Sequence, residues 1–138
     1  MSVQFTNNSV KVKAAMEDAC IGYLYEAAGE IEAQTKRNSR VGSTGQTKGA
    51  WTHKVDESKL EATVGNPLEN AIWEEFGTGE FALNGDGRKG GWTYQDEETG
   101  KWHHTFGKTP NRAFFSAFNS LKSALVKRAE EVLKGLGK

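Results

Sequence analysis

Glu74 and Glu75 stand side by side just ahead of Gly77-Thr78-Gly79, and paired carboxylates are the side-chain set that serves as acid and base on a glycosidic bond. Adjacent positions suit that chemistry poorly, because neighbours on a strand face opposite sides and on a helix diverge by about 100°. The simpler reading is a solvated or interfacial carboxylate. His103 and His104, beside Trp102, suggest a metal site or a nuclease histidine, yet consecutive strand residues face apart and no Asp or Glu sits at ligand spacing. His53, alone on its run, reads as a half-buried polar aromatic. The glycine run over 77–91 lacks a Gly-Lys-Ser/Thr ending and precedes a strand rather than a helix, so it fails as a phosphate loop. Cys20, the single cysteine, reads as a small core residue without an internal disulfide partner. Four tryptophans, Trp51, Trp73, Trp92 and Trp102, are able to stack on sugars or bases, although aromatics on a hairpin are also what protein interfaces use.

The elements that must position these groups fall into blocks. Asn7, Asn8 and Ser9 are good N-cap residues, and Met16, Cys20-Ile21, Leu24, Ala27-Ala28 and Ile31 recur at three-and-four spacing, which predicts a helix over 9–38 that frays near Lys36 to Arg40. Gly22 and Gly29 inside it imply close approach of a neighbour or a local bend. Residues 49–76 hold a hairpin and a following segment. Trp51, His53 and Val55 alternate with polar residues, as do Leu60, Ala62 and Val64 after Asp56-Glu57-Ser58-Lys59, while Asn70 to Phe76 is amphipathic and too short to assign. Residues 77–110 form a glycine-rich loop, eight glycines in 31 residues from Gly77 to Gly107. Within it Trp92 and Tyr94, then Trp102, His104 and Phe106, predict a second hairpin with aromatic cross-strand partners. Phe114, Phe118, Leu121, Leu125, Ala129, Val132 and Leu136 predict a helix over 111–136 with Asn111 as N-cap.

At 138 residues the chain is long enough for one domain and too short for a large two-domain enzyme. Eighteen basic and eighteen acidic residues lack the basic excess of a protein built to grip a phosphate backbone. A mean hydropathy of −0.66, with no run near the ~20 apolar residues that span a bilayer and no apolar leader, predicts a soluble, unexported chain. Charge is nonetheless uneven. Residues 41–110 carry 7 basic and 11 acidic groups, and residues 111–138 carry 6 and 2, which suits pairing within one molecule or head-to-tail contact between copies.

Three motifs in this order resemble the tail-completion or head-tail joining proteins of long-tailed bacteriophages, the gene-product-ten-like family. Ser43-Thr44-Gly45-Gln46-Thr47-Lys48-Gly49-Ala50-Trp51 is similar to that family's Thr-Gly-x-Leu-x-x-Ser signature before the first strand, with Gln46-Thr47 in place of its Leu. Asn70-Ala71-Ile72-Trp73-Glu74-Glu75-Phe76-Gly77-Thr78-Gly79 resembles its Tyr-Ala-x-Tyr-x-Glu-x-Gly-Thr stretch, with Glu75, Gly77 and Thr78 on the characteristic positions. Thr109-Pro110-Asn111-Arg112-Ala113-Phe114-Phe115-Ser116-Ala117-Phe118 is similar to its Pro-Phe-Leu-x-Pro-Ala approach to the last helix.

The resemblance implies an α+β domain, a small antiparallel sheet flanked by an N-terminal and a C-terminal helix with the glycine-rich hairpin inserted. It implies a ring of copies at the head-proximal end of the tail, in a virion made in the host cytoplasm, with no catalytic site, metal or cofactor. Its partners would be further copies, a tail terminator or tail tube protein and a head-closure or stopper protein. DNA would pass through the channel without sequence-specific binding, and no membrane is involved. The last helix would pack on the sheet, and Glu75 would hold neighbouring N–H groups or a charge on the next subunit. Thr44, Gly45, Trp51, Trp73, Glu75, Gly77, Thr78, Gly79, Trp92, Tyr94, Trp102, Pro110 and Phe114 carry the motifs and the expected interfaces. Two other readings compete: a module binding a glycan or peptide through the Trp92 to Phe106 hairpin, and a small hydrolase built on Glu75 and a histidine.

Overall fold

A computed structural model describes residues 2–42 and 45–135. Ser43 and Thr44 of the first motif, and Leu136 of the last stripe, lie outside the described residues. The chain is α+β: a long helix α1 (Ser9–Asn38), a one-turn helix α2 (Gln46–Gly49), a hairpin β1 (Thr52–Asp56) and β2 (Glu61–Gly65), and a short helix α3 (Asn70–Phe76). A 3-10 turn (Gly79–Phe81), a second hairpin β3 (Trp92–Gln95) and β4 (Trp102–Thr105), and a long helix α4 (Ala113–Gly135) complete it.

The two long helices pack antiparallel. Small residues make the close approach possible: Ala27 and Ala28 on α1 and Ala113 and Ala117 on α4 are all buried. Tyr23 donates its hydroxyl to the carbonyl of Leu125 at 2.7 Å, and Arg128 reaches Glu26 and Glu30 at 2.9 and 2.8 Å. Burial raises the Tyr23 phenol above its ordinary value of 10.0, against the opposing pull of Arg128. Near the open end of the helix pair, Cys20, Leu24, Val132 and Leu133 line an apolar cavity of about 220 Å³ that Leu60 helps to close.

Several expectations change here. The antiparallel structure is two separate hairpins, as expected, but the first lies mainly against α1, tied by the His53–Glu32 pair and by Tyr25 donating to Glu57 at 3.1 Å. The stripe of α4 therefore packs on α1, because the alanine-lined face of α1 is the surface able to accept a helix at close range. Nothing lies within 4 Å of where a side chain would begin at Gly22 or Gly29, so neither marks a close approach. The end of α1 is anchored rather than frayed. Thr35 is fully buried and donates to Ile31 at 2.7 Å, and Asn38 exchanges hydrogen bonds with the start of α4, donating to Ala113 and accepting from Asn111.

Both hairpins turn on the same device. Asp56 Oδ1 accepts from the backbone of Ser58 and Lys59, and Asp96 Oδ1 from that of Glu98 and Thr99, which lets a side chain stand in for a backbone turn acceptor. The second register pairs Trp92 with Thr105, Tyr94 with His103 and Gln95 with Trp102. Directly paired residues share a face, so Trp92 and Tyr94 lie on one face and Trp102 on the other. The expected aromatic cross-strand pairs reduce to Tyr94 against His103, with ring centroids 5.6 Å apart.

Candidate functional site

The second and third motifs meet. Helix α3 buries Ala71 and Glu75, one turn apart on one face, and stops at Gly77, whose φ of 75° lies in the left-handed region. From there the chain is laced to the stretch before α4. Thr78 N–H donates to Lys108 O at 2.9 Å, Lys108 N–H returns to Thr78 Oγ1 at 2.8 Å, Glu80 N–H reaches Phe106 O at 2.9 Å, and Asn111 N–H reaches Glu74 O at 2.7 Å. The backbones run so close that a methyl group at Gly79 would stand 2.2 Å from Phe106 O, and one at Gly77 would stand 2.9 Å from Pro110 Cδ. Glycine at these two motif positions is a steric requirement of the joint.

Both carboxylates of the Glu74-Glu75 pair are engaged, with different partners. Glu75 accepts from the N–H groups of Phe114 and Phe115 at 3.0 and 2.9 Å, so the first turn of α4 is capped by a side chain from another helix. Two amide donors and the partial positive charge of a helix start suit an anionic acceptor. Arg112, at a φ of 52°, adds its guanidinium 3.8 Å from Glu75 Oε1 and 3.9 Å above the Phe115 ring. The expected N-cap, Asn111, instead spends its amide on α1. Glu74 sits between Arg40, 3.2 Å away, and Lys108. Arg40 also donates to the Thr109 carbonyl at 2.6 Å.

This joint forms one wall of a cleft of about 860 Å³ that also takes in Thr47, Trp73, Arg88 and Trp92. Trp73 is half exposed there, and the Arg88 guanidinium lies 5.9 Å from the Trp92 ring centre. Gly45 (φ 68°) opens α2 rather than a strand, and Asn66 ties α2 down by donating to Thr47 O at 2.8 Å. Trp51 is buried and stacks on Phe114 at 5.6 Å with the rings 9° from parallel. Tyr94 and Trp102 stand on the second hairpin, away from the joint, with Trp102 68% exposed.

The remaining candidates do not converge. His53 pairs with Glu32, while His104 meets Thr93 Oγ1 at 3.3 Å and the edge of Phe106 on the face opposite His103. Among the described residues no three His, Cys, Asp or Glu side chains come together as a metal site, and no helix is long and apolar enough to cross a membrane. Arg40, Lys108, Arg112 and Asn38 are structural members of the joint that the sequence reading missed. Arg40 falls in a polar run that looks like a fraying helix end, and Lys108 in a loop, so no periodic pattern marked them. No family model, characterised protein or solved structure matches the chain.

Proposed function

We propose that the chain is a structural assembly subunit, a ring-forming tail-completion or head-tail joining protein of a long-tailed phage. The observation that carries the reading is surface. The subunit exposes 9997 Å², whereas a compact monomer of 15.1 kDa exposes about 7,100 Å². The excess is larger than the roughly 800 Å² per partner that a standard interface removes, so it suits a subunit with neighbours on two sides. Its exposed part includes Val10, Val12 and Met16 on α1 and Phe118, Val126 and Leu133 on α4.

The order of the three motifs supports the specific family reading. The packing of the second against the third gives them a physical task, holding α4 at a set angle to α1. Formal neutrality suits a channel that lets DNA slide without a phosphate clamp. The split of Trp102 from Trp92 and Tyr94 speaks against a single aromatic platform for sugars, and the separate engagement of Glu74 and Glu75 speaks against a hydrolase.

The deciding experiment inactivates the gene in the phage or prophage that carries it and examines the lysate by negative-stain electron microscopy. DNA-filled heads and finished tails lying apart, rescued by supplied protein, are the expected result. Infectious particles assembled without the protein overturn the reading.

A further inference from the structure

Residues 2–8, ahead of α1, form neither helix nor strand and are exposed throughout. Val3 is 73% and Phe5 94% exposed, and in an extended chain these alternate residues share one side while Gln4 and Thr6 take the other. Asn7 and Asn8 accept from the N–H groups of Ser9 and Val12 at the start of α1. Among the described residues this arm has no hydrogen bond to the body of the subunit.

The cleft beside the joint is a complementary surface. Its volume of about 860 Å³ is faced by two indoles, Trp73 and Trp92, and by the uncharged polar residues Gln46, Thr47, Asn70 and Thr78. The charges in its wall are largely spent: Glu74 takes up Arg40 and Lys108, and Asp86 and Arg88 add one charge of each sign. Such a wall takes an uncharged aromatic segment at low desolvation cost, and residues 2–8 hold no Asp, Glu, Lys or Arg.

Reach decides whose arm can enter. Helix α1 has 30 residues, about 45 Å of rise. The arm leaves from its first turn, whereas the cleft lies past its last, where Arg40, Val41 and Gly42 line it. Fully stretched, the chain carries Phe5 about 14 Å from Ser9, so Phe5 stops far short of the cleft in its own subunit. Only the Phe5 of another copy can fill it. An extended segment the length of residues 2–8 exposes about 1,100 Å², and burying most of that reaches the scale of a standard interface, roughly 800 Å² per partner.

We propose that the arm of one copy lies in the cleft of the next, with Val3 and Phe5 turned onto Trp73 and Trp92. Arm and cleft are different surfaces, so the contact is heterologous and propagates around a ring rather than closing a dimer. It rests on the assembly reading above and names the contact.

Phe5→Ser in the full chain is expected to weaken association about tenfold or more, as loss of a buried aromatic anchor does, read by sedimentation velocity and native mass measurement. Trp73→Ala should do the same from the cleft side. Asn70→Trp, at an exposed lining position, should obstruct the cleft without removing packing, and circular dichroism confirms that each variant folds. Mixing is the sharpest test. Phe5→Ser still offers a cleft and Asn70→Trp still offers an arm, so the two together should form one contact and stop at a 1:1 complex. Assembly that ignores Phe5→Ser, a mixture no more associated than its components, or a wild-type chain that stays a monomer at high micromolar concentration overturns the contact. Sensitivity to the cleft variants alone gives the cleft to a different segment and overturns it as well. The lysate experiment decides the assembly reading independently: separated heads and tails, with association that ignores Phe5→Ser, leave the ring standing and remove only the arm.

Discussion

The carboxylate of Glu75, at the end of α3, accepts the N–H of Phe114, the second residue of α4. Thirty-nine positions separate them in sequence, so a helix start is completed by a distant element instead of by its own preceding residue. Replacing Glu75 with Ala leaves two partly buried amides without their acceptor and is expected to cost about 2 kcal/mol. Glu75→Gln keeps one acceptor oxygen and should cost about half as much by the same reasoning. Urea unfolding followed by circular dichroism measures both. Equal stability of Glu75→Ala and wild type would mean that the cap contributes nothing. Since the group is spent inside the subunit, on neighbouring N–H groups, which is one of the two roles the resemblance implied for it, its loss acts on the fold.

Glycines at Gly79 and Gly29 should respond in opposite directions to the same substitution. Gly79 has a φ of 61° and no room for a methyl group, so Gly79→Ala is expected to destabilise by more than about 1 kcal/mol. Gly29 is helical with nothing within 4 Å of the added carbon, and Gly29→Ala is expected to stabilise by about 0.5–1 kcal/mol. Denaturant midpoints at constant slope are the readout. Destabilisation by Gly29→Ala would point to a packing role absent from the single chain, such as a contact between copies.

Acid sensitivity follows from three carboxylates. The Lys36 hydrogen bond, and after it that of His53, holds Glu32 below its ordinary value of 4.5. The Ser58 hydroxyl does the same for Asp56, and the Thr99 amide for Asp96, each from 3.8. A carboxyl lowered in the folded state contributes stability that is complete above its unfolded value and lost as pH falls through the folded one. These three contributions should therefore be intact above about pH 5 and disappear below it. Glu32→Gln should flatten the acid limb of a stability profile measured by urea titration across pH. An unchanged limb would remove Glu32 from the account.

The second hairpin separates the two binding readings. Trp102→Ala alters an exposed side chain and should change stability by no more than about 0.5 kcal/mol. If the protein is an assembly subunit, neither this variant nor the wild type should be retained on a glycan array. Wild-type retention that Trp102→Ala abolishes would favour a sugar-binding module.

What the chain alone determined were its local choices. Periodicity places both long helices to within two residues of where they lie, and alternation on either side of Asp56-Glu57-Ser58-Lys59 and of Glu97-Glu98-Thr99-Gly100 places both hairpins, because a helix stripe, a strand pattern and a polar turn are each written within a few neighbouring residues. Tertiary structure decided the rest. Whether α4 would cover a sheet or a helix depended on alanines of two distant segments meeting, and the division of the hairpin aromatics depended on a one-residue register that turn chemistry leaves open. The joint of Glu74 and Glu75 with Arg40, Lys108 and Arg112 draws partners from up to 40 positions away. Such groups acquire their roles only when folding brings opposite charges and unpaired amides within hydrogen-bond reach, which no local pattern records.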